Sequence, residues 1–222
     1  MAAKNSVKIY APDSYYHLYN RGVAKNEIFL DSADYSTFLS YLKIYLSPKN
    51  EAELTSIRGN PQSGYREKYE AAKLLALKNY YQEIELLAYA LMPNHFHFLV
   101  KQKEANSIDN FMNSLGTRYS GFFNRKYHRV GPIFQGVYKA VLVETDAQLL
   151  HLSRYIHLNS PKQTSPSSFP EYLGQRHTAW IKTDQILSYF QQENPQTSYQ
   201  KFVQDYADIE PIVPLTLDIE DS

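Results

Sequence analysis

Two apolar runs in the middle of the chain limit the folds that are open to it. They span residues 83–91 and 95–101, and only Met92, Pro93 and Asn94 separate them. Two β-prone runs joined by such a short, Pro-containing loop predict a hairpin of antiparallel strands.

The second run of this hairpin carries a His-x-His pair. Side chains alternate between the faces of a strand, so His95 and His97 share one face, while Phe96 and Phe98 point the other way into a core. We expect the two imidazoles to be presented rather than buried. Two neutral imidazoles on one face can chelate a divalent cation if a third ligand comes from elsewhere. A sheet face that merely carries two histidines is the alternative, and the pair alone does not decide between them.

Length and cysteine content narrow the class of protein. A chain of 222 residues can form one sizeable core with appendages, as one or two domains. The absence of cysteine excludes disulfides and thiolate zinc sites. The N-terminus has no signal-peptide pattern and no apolar stretch approaches membrane-spanning length, so we expect a cytoplasmic protein without a membrane partner.

Charge is unevenly distributed, although the formal net charge is zero. All 23 Lys and Arg residues lie within residues 1–201, whereas six of the 23 Asp and Glu residues follow Lys201. The body of the protein is therefore mildly basic and its tail is acidic.

Periodicity and turn signals predict further elements before the hairpin. A strand is expected at residues 15–21, closed by Gly22, and a helix capped by residues 31–34 follows it. Residues 49–80 are expected to be an insertion, and its helix-prone part begins at Tyr65.

Two helices and a strand are predicted after the hairpin. Ser107 is expected to cap a helix over residues 107–127, whose apolar stripe belongs to the core. Residues 131–143 predict a turn followed by a strand. Thr145 begins a segment with capping-box spacing, which predicts a helix that runs to a stop at Ser160-Pro161.

Four cations gather towards the end of the first of these helices. They are Arg118, Arg125, Lys126 and Arg129, and Tyr127 and His128 lie among them. A mixture of cations and ring surface is typical of nucleic-acid-binding grooves. A solvated helix end is the alternative interpretation.

The helix after Thr145 carries Tyr155 and Asn159 on one face. Such a pair is ordinary by itself, but its combination with a His-x-His strand resembles the single-tyrosine HUH transposases, and most of all their REP-associated tyrosine transposase branch. The resemblance extends over most of the chain. It rests on Tyr16-His17-Leu18-Tyr19-Asn20-Arg21-Gly22, Met92-Pro93-Asn94-His95-Phe96-His97, Gly131-Pro132-Ile133-Phe134-Gln135-Gly136-Val137-Tyr138-Lys139 and Tyr155-Ile156-His157-Leu158-Asn159-Ser160-Pro161.

The resemblance implies a fold and a set of catalytic roles. The fold would be α+β, a ferredoxin-like antiparallel sheet with packed helices. His95 and His97 would bind Mg²⁺ or Mn²⁺, Asn159 would be the third ligand, and Tyr155 would be the nucleophile. Related enzymes use Gln as the third ligand, and Asn is one methylene shorter, so its oxygen could reach the metal only in the substrate complex or through water.

The resemblance also implies a substrate. It would be single-stranded DNA beside an imperfect hairpin such as a repetitive extragenic palindrome, cleaved and transferred through a 5′-phosphotyrosine intermediate. Arg21 and Lys139 join the four cations above as candidate phosphate contacts. Members of the wider family act as monomers or homodimers, and both states stay open here. The acidic tail would either solubilise the protein or compete with DNA.

We expect two regions in the chain. Residues 1–161 would form the catalytic domain, interrupted by the insertion at 49–80. Residues 162–222 would form a C-terminal extension with short helices at 183–190 and 197–206 and the acidic tail.

Two other functions remain as alternatives. One is a non-catalytic protein that is derived from such an enzyme and has a regulatory role, which it performs by binding hairpin DNA or RNA. The other is a metal-dependent phosphoesterase in which His95 and His97 serve a water nucleophile and Tyr155 is dispensable. Two-histidine phosphoesterases usually repeat the histidine motif, and this sequence has no second copy.

Overall fold

A computed structural model describes residues 10–159 and 166–205 of the protein. Its centre is an antiparallel sheet of four strands in the order β2-β3-β1-β4. The strands are β1 (Ser14–Arg21), β2 (Ile84–Met92), β3 (His95–Gln102) and β4 (Lys139–Val143). This strand order, with helices in the crossovers, is the ferredoxin-like α+β architecture that was expected.

The helices follow the strands in a regular alternation. Helix α1 lies between β1 and β2, α4 lies between β3 and β4, and α5 follows β4. Their bounds are α1 (Ser32–Leu46), α2 (Glu51–Gly59), α3 (Tyr65–Ala76), α4 (Ser107–Lys126), α5 (Asp146–Leu158), α6 (Phe169–Tyr172), α7 (Asp184–Leu187) and α8 (Pro195–Gln204).

The hairpin forms as the sequence predicts. Met92 pairs with His95, so Pro93 and Asn94 alone make the turn. The segment after β1 holds this turn, because the amides of Ile28 and Phe29 both donate to the Pro93 carbonyl. The start of β3, which carries the histidines, is therefore fixed to the end of β1.

One face of the sheet is covered by α1 and α4. Phe96 and Phe98 point to this side and pack against Phe38 of α1. Phe111 and Tyr119 of α4 belong to the same buried cluster. The predicted direction of the two phenylalanines and the predicted core stripe of α4 are both confirmed.

The other face is covered by α5 and the segment that follows it. Leu152 and Ile156 of α5 are buried with Tyr172 and Tyr199 against the sheet. The C-terminal segment also lies beside β2, where the Leu91 amide donates to the Pro166 carbonyl, the Ser168 amide to Tyr89, and the Lys182 amide to Leu86. The division of the chain at residue 161 stays a prediction.

Two local expectations were wrong. Residues 51–59 form helix α2, which sequence reasoning left without structure because it has no apolar periodicity and buries none of its residues. Ser107 does not cap α4: the cap position is Asn106, and the Ser107 hydroxyl donates to Glu83 instead.

The cap expected for α5 is present. The Thr145 hydroxyl accepts from the Gln148 amide at 3.2 Å, and the Gln148 side chain accepts from Glu144 at 2.8 Å. The Ser160-Pro161 stop and the acidic tail after Asp205 lie outside the described residues. Within the described ranges, no helix is long and apolar enough to span a membrane.

Candidate active site

Strand register places the histidine pair next to two cations. On the face that α5 covers, His95 lies opposite Arg21 of β1 and His97 lies opposite Tyr19. Tyr19 in turn lies opposite Lys139 of β4. One end of this sheet face therefore combines imidazole, phenol and cationic groups.

His97 is fully buried, which corrects the expectation that both imidazoles are presented. Its Nδ1 lies 2.8 Å from Nε2 of His17, and its ring centroid lies 5.4 Å from that of Tyr155 on α5. The alternation of side chains along β3 correctly predicts the sheet face on which His97 lies. It does not predict that groups from β1 and α5 enclose the His97 ring. Its Nε2 atom is buried and has no hydrogen-bond partner among the described residues.

His95 is half-buried beside His97. The two ring centroids are 5.1 Å apart and the rings are nearly perpendicular. Nδ1 of His95 lies 2.6 Å from the amide oxygen of Asn94. Since an amide oxygen only accepts, Nδ1 carries the proton and Nε2 carries the lone pair.

Both imidazoles are kept neutral. Burial, reinforced by the Arg21 charge, lowers the pKa of His95 to about 4. Burial, with smaller contributions from His17 and His95, holds the pKa of His97 well below its ordinary value. A neutral imidazole is the form that binds a metal ion.

Tyr155 packs against His97 and His17. Its half-buried ring meets the His97 ring edge to face, and its centroid is 6.4 Å from that of His17. The neighbouring Leu152 and Ile156 are fully buried and fix this face of α5 against the sheet.

Asn159 closes the C-terminus of α5. Its side-chain amide donates to the Tyr155 carbonyl at 2.9 Å, and its backbone amide donates to the same oxygen at 3.0 Å. Within the described ranges, no three His, Cys, Asp or Glu side chains cluster to hold a metal ion. A cation on His95 and His97 would therefore need an amide such as Asn159, or the substrate itself, as a further ligand.

The residues present fit a divalent cation. His97 offers a buried nitrogen that pairs with no described group, and His95 offers a second lone pair from an adjacent perpendicular ring. Nitrogen ligands of this type suit Mn²⁺ and other first-row cations, and oxygen ligands for Mg²⁺ would have to come mainly from the substrate.

The six candidate phosphate-binding cations divide between two places. Arg21 lies opposite His95 and donates from Nε to Gln135 at 2.7 Å, and Lys139 lies one strand further on, opposite Tyr19. The other four belong to α4 and the turn after it, on the opposite face of the sheet: Arg118, Arg125, Lys126 and Arg129.

Three of these four cations have intramolecular contacts. The guanidinium of Arg118 lies 4.0 Å from the ring centroid of Tyr41, and that of Arg129 lies 5.6 Å from the ring of Phe123. Lys126 forms ion pairs of 2.7 Å with Asp31 and Asp34. Arg125 is exposed. The structure therefore does not bring these four cations to the histidines.

Sequence reasoning did not assign a role to His17. It lies on β1 in the Tyr-His-Leu-Tyr-Asn-Arg-Gly motif, two residues from Tyr19 and on the same face. Its contact with His97 depends on the pairing of β1 with β3, which no local pattern shows.

Comparison with known families bears on this arrangement. The family described as "Transposase IS200 like" matches residues 65–159, which include His95, His97, Tyr155 and Asn159. Residues 65–159 are thus similar in sequence to the IS200-like transposases. The recognition made from the sequence motifs is thus confirmed at the level of the IS200-like transposases.

Two solved structures are similar to this chain. One is a REP-associated tyrosine transposase bound to a REP hairpin, with 10% identity, a TM-score of 0.47, and coverage of 79% of this chain and 95% of the other. The second is a candidate transposase from Deinococcus radiodurans, with 14% identity, a TM-score of 0.36, and coverage of 70% and 97%. No curated protein matches the sequence.

Proposed function

We propose that this IS200-like protein is a metal-dependent single-stranded DNA endonuclease and strand transferase with Tyr155 as its nucleophile. The observation that carries the proposal is the meeting of three groups. The buried His97, whose Nε2 has no hydrogen-bond partner in the described residues, lies beside the neutral His95, and the Tyr155 ring packs edge to face against His97.

Each side chain has a distinct role in the proposed reaction. His95 and His97, with Asn159, would hold Mg²⁺ or Mn²⁺, which would neutralise charge on the scissile phosphate. The Tyr155 oxygen would bond to phosphorus as the bond from phosphorus to the 3′ oxygen breaks. The phenolic proton would pass to solvent and the leaving 3′ oxygen would take one up. The products are a 5′-phosphotyrosine and a free 3′ hydroxyl, so the ester can be transferred to another DNA end without external energy.

The proposed substrate is a single strand beside a DNA hairpin of the REP type. Support comes from the sequence motifs of the REP-associated branch and from the position of Arg21 and Lys139 at the edge of the histidine pair. A single strand can be splayed so that its phosphate reaches a site that α5 partly covers. Whether one copy or two act together stays open.

A suicide oligonucleotide tests the proposal. A single-stranded oligonucleotide with only a few nucleotides on the 5′ side of the cleavage site, whose short 3′-hydroxyl fragment diffuses away, is incubated with Mn²⁺ and the protein. A denaturing gel then detects covalent protein–DNA adducts. We expect adducts with the wild-type protein and none with Tyr155→Phe, which should still bind the DNA. Tyr65→Phe is the matched control, because Tyr65 is exposed on α3 far along the chain from the histidines.

The same assay separates the alternatives. DNA binding without adducts under any metal would favour a non-catalytic hairpin-binding protein, for which the absence of a three-ligand His/Cys/Asp/Glu cluster in the described residues is the supporting observation. Cleavage that continues in Tyr155→Phe would instead identify a phosphoesterase with a water nucleophile.

A further inference from the structure

We propose that His17 is a positioning residue that selects the tautomer of His97 and so leaves the His97 Nε2 lone pair available to a cation. This inference rests on the proposed function, because it concerns one of the metal ligands named there. It assigns a role to a β1 residue that lies outside the segment matched by the transposase family.

The geometry of the His17–His97 contact is specific. Nε2 of His17 and Nδ1 of His97 are 2.8 Å apart, which is hydrogen-bonding distance. The two rings are inclined by only 16°, and both residues are fully buried. Water therefore does not compete for either nitrogen.

One proton must lie between these two nitrogens. If His97 accepted the hydrogen bond at Nδ1, its proton would lie on Nε2, and an N–H group would point at the cation position. If His97 donates from Nδ1, its Nε2 carries a lone pair. Only the second arrangement lets the buried Nε2, which has no hydrogen-bond partner in the described residues, bind a metal ion.

The second proposed metal ligand, His95, has its tautomer set in the same way. Nδ1 of His95 donates to the amide oxygen of Asn94, its neighbour in the chain. His17 therefore does for His97 what Asn94 does for His95, but from another strand. Metal-binding histidines in general need such an acceptor at the second ring nitrogen, and its removal typically weakens metal binding by about 10- to 100-fold.

The surroundings of His17 keep its ring in place. Its centroid lies 4.8 Å from Tyr19 and 6.4 Å from Tyr155. On β4 the residue opposite His17 is Val141. A packing role alone would require only the volume of the ring at this position, whereas the proposed role requires an acceptor atom.

The first test reads the tautomer directly in the full-length, metal-free protein. Long-range ¹H–¹⁵N NMR spectra distinguish a histidine protonated at Nδ1 from one protonated at Nε2. We expect Nδ1 protonation of His97 in the wild type and its loss in His17→Leu. Nε2 protonation of His97 in the wild-type protein would overturn the proposal.

The second test measures Mn²⁺ binding without DNA, by electron paramagnetic resonance of the free ion. We expect His17→Leu to weaken binding by about 10- to 100-fold, and His17→Gln, which retains an acceptor, to restore part of it. Val141→Ala, which disturbs packing opposite His17 and leaves the hydrogen bond intact, should bind Mn²⁺ like the wild type.

The two proposals fail in different ways. Unchanged Mn²⁺ affinity in a folded His17→Leu variant overturns the role of His17 and leaves the nuclease proposal standing. Normal Mn²⁺ binding without any covalent adduct overturns the nuclease proposal and leaves the role of His17 standing. A wild-type protein that binds no Mn²⁺, either alone or with single-stranded DNA, overturns both.

Discussion

At the scale of single residues, His157 connects the helix that carries Tyr155 to the C-terminal segment. It is buried, with Nδ1 at 2.7 Å from the Tyr199 hydroxyl and Nε2 at 2.8 Å from the Ser168 hydroxyl. Burial lowers the pKa of His157 to about 3. A neutral ring can serve both hydroxyl groups, whereas a protonated ring would place an uncompensated charge in the core.

This burial predicts a loss of stability in acid. The pKa of His157 is lower in the folded than in the unfolded protein, so its contribution is complete above about pH 6.5 and falls as the pH drops towards 3, by up to about 1.4 kcal/mol per pH unit. His157→Gln should make the free energy of unfolding less dependent on pH over this range. Urea unfolding of both proteins at pH 7.5, 6 and 5 measures this pH dependence.

The control for this experiment is another histidine. His128→Gln alters an exposed residue and should leave the pH dependence of the wild type unchanged. His95 and His97 contribute in the same direction, so some pH dependence remains in every variant. Equal pH dependence in His157→Gln and the wild type would contradict the prediction.

Residue-level reasoning reached the site only in part. The His-x-His alternation and the Tyr155 motif named groups that the structure places together. Alternation assigns a side chain to a face of a sheet but not the groups that cover that face. The burial of His97 and its contact with His17 therefore could not be read from local pattern.

At the scale of elements, α5 determines where Tyr155 lies. Its N-terminus is fixed by the Thr145 cap, and its inner face by Leu149, Leu152 and Ile156. The sequence was sufficient to predict this helix, because capping and apolar periodicity agree. It was insufficient for α2, whose residues are all exposed or half-buried and therefore leave no apolar period.

Removal of the α5 cap should cost stability rather than chemistry. Thr145→Ala removes the hydroxyl that accepts from Gln148, so we expect the free energy of unfolding to fall by about 1 kcal/mol. Thr145→Ser keeps a hydroxyl at the cap position and should retain most of the wild-type stability. Urea unfolding monitored by circular dichroism measures the difference.

The same substitution elsewhere provides the comparison. Thr55 is exposed inside α2, where alanine has the higher helix propensity, so Thr55→Ala should not lower stability. If Thr145→Ala were as stable as Thr55→Ala, the cap would contribute nothing.

At the scale of the whole molecule, the sheet separates two groups of cations. Arg21 and Lys139 lie at the histidines, whereas Arg125 and Arg129 lie at the end of α4 beyond the opposite face. The sequence predicted all six candidate cations without this division, because strand order and helix packing are long-range properties.

The division predicts different effects on single-stranded DNA. Arg21→Ala with Lys139→Ala should weaken binding of a short oligonucleotide and lower the slope of log affinity against log salt by about 1.4, because each phosphate that is no longer neutralised accounts for roughly 0.7. Arg125→Ala with Arg129→Ala should leave that slope unchanged. Fluorescence anisotropy across a salt series measures both.

The outcome is decisive for the surface that binds the strand. An unchanged slope in the first double variant would exclude Arg21 and Lys139 as phosphate contacts, and a lowered slope in the second would place the single strand on α4.

The C-terminal segment also has a consequence for how two copies could meet. Backbone groups of β2 at Leu86, Tyr89 and Leu91 are already hydrogen-bonded to residues 166, 168 and 182. An incoming strand would have to displace these bonds to extend the sheet on that border. The β2 border therefore disfavours a sheet that continues from one protomer into another, and the other edge of the described sheet is β4.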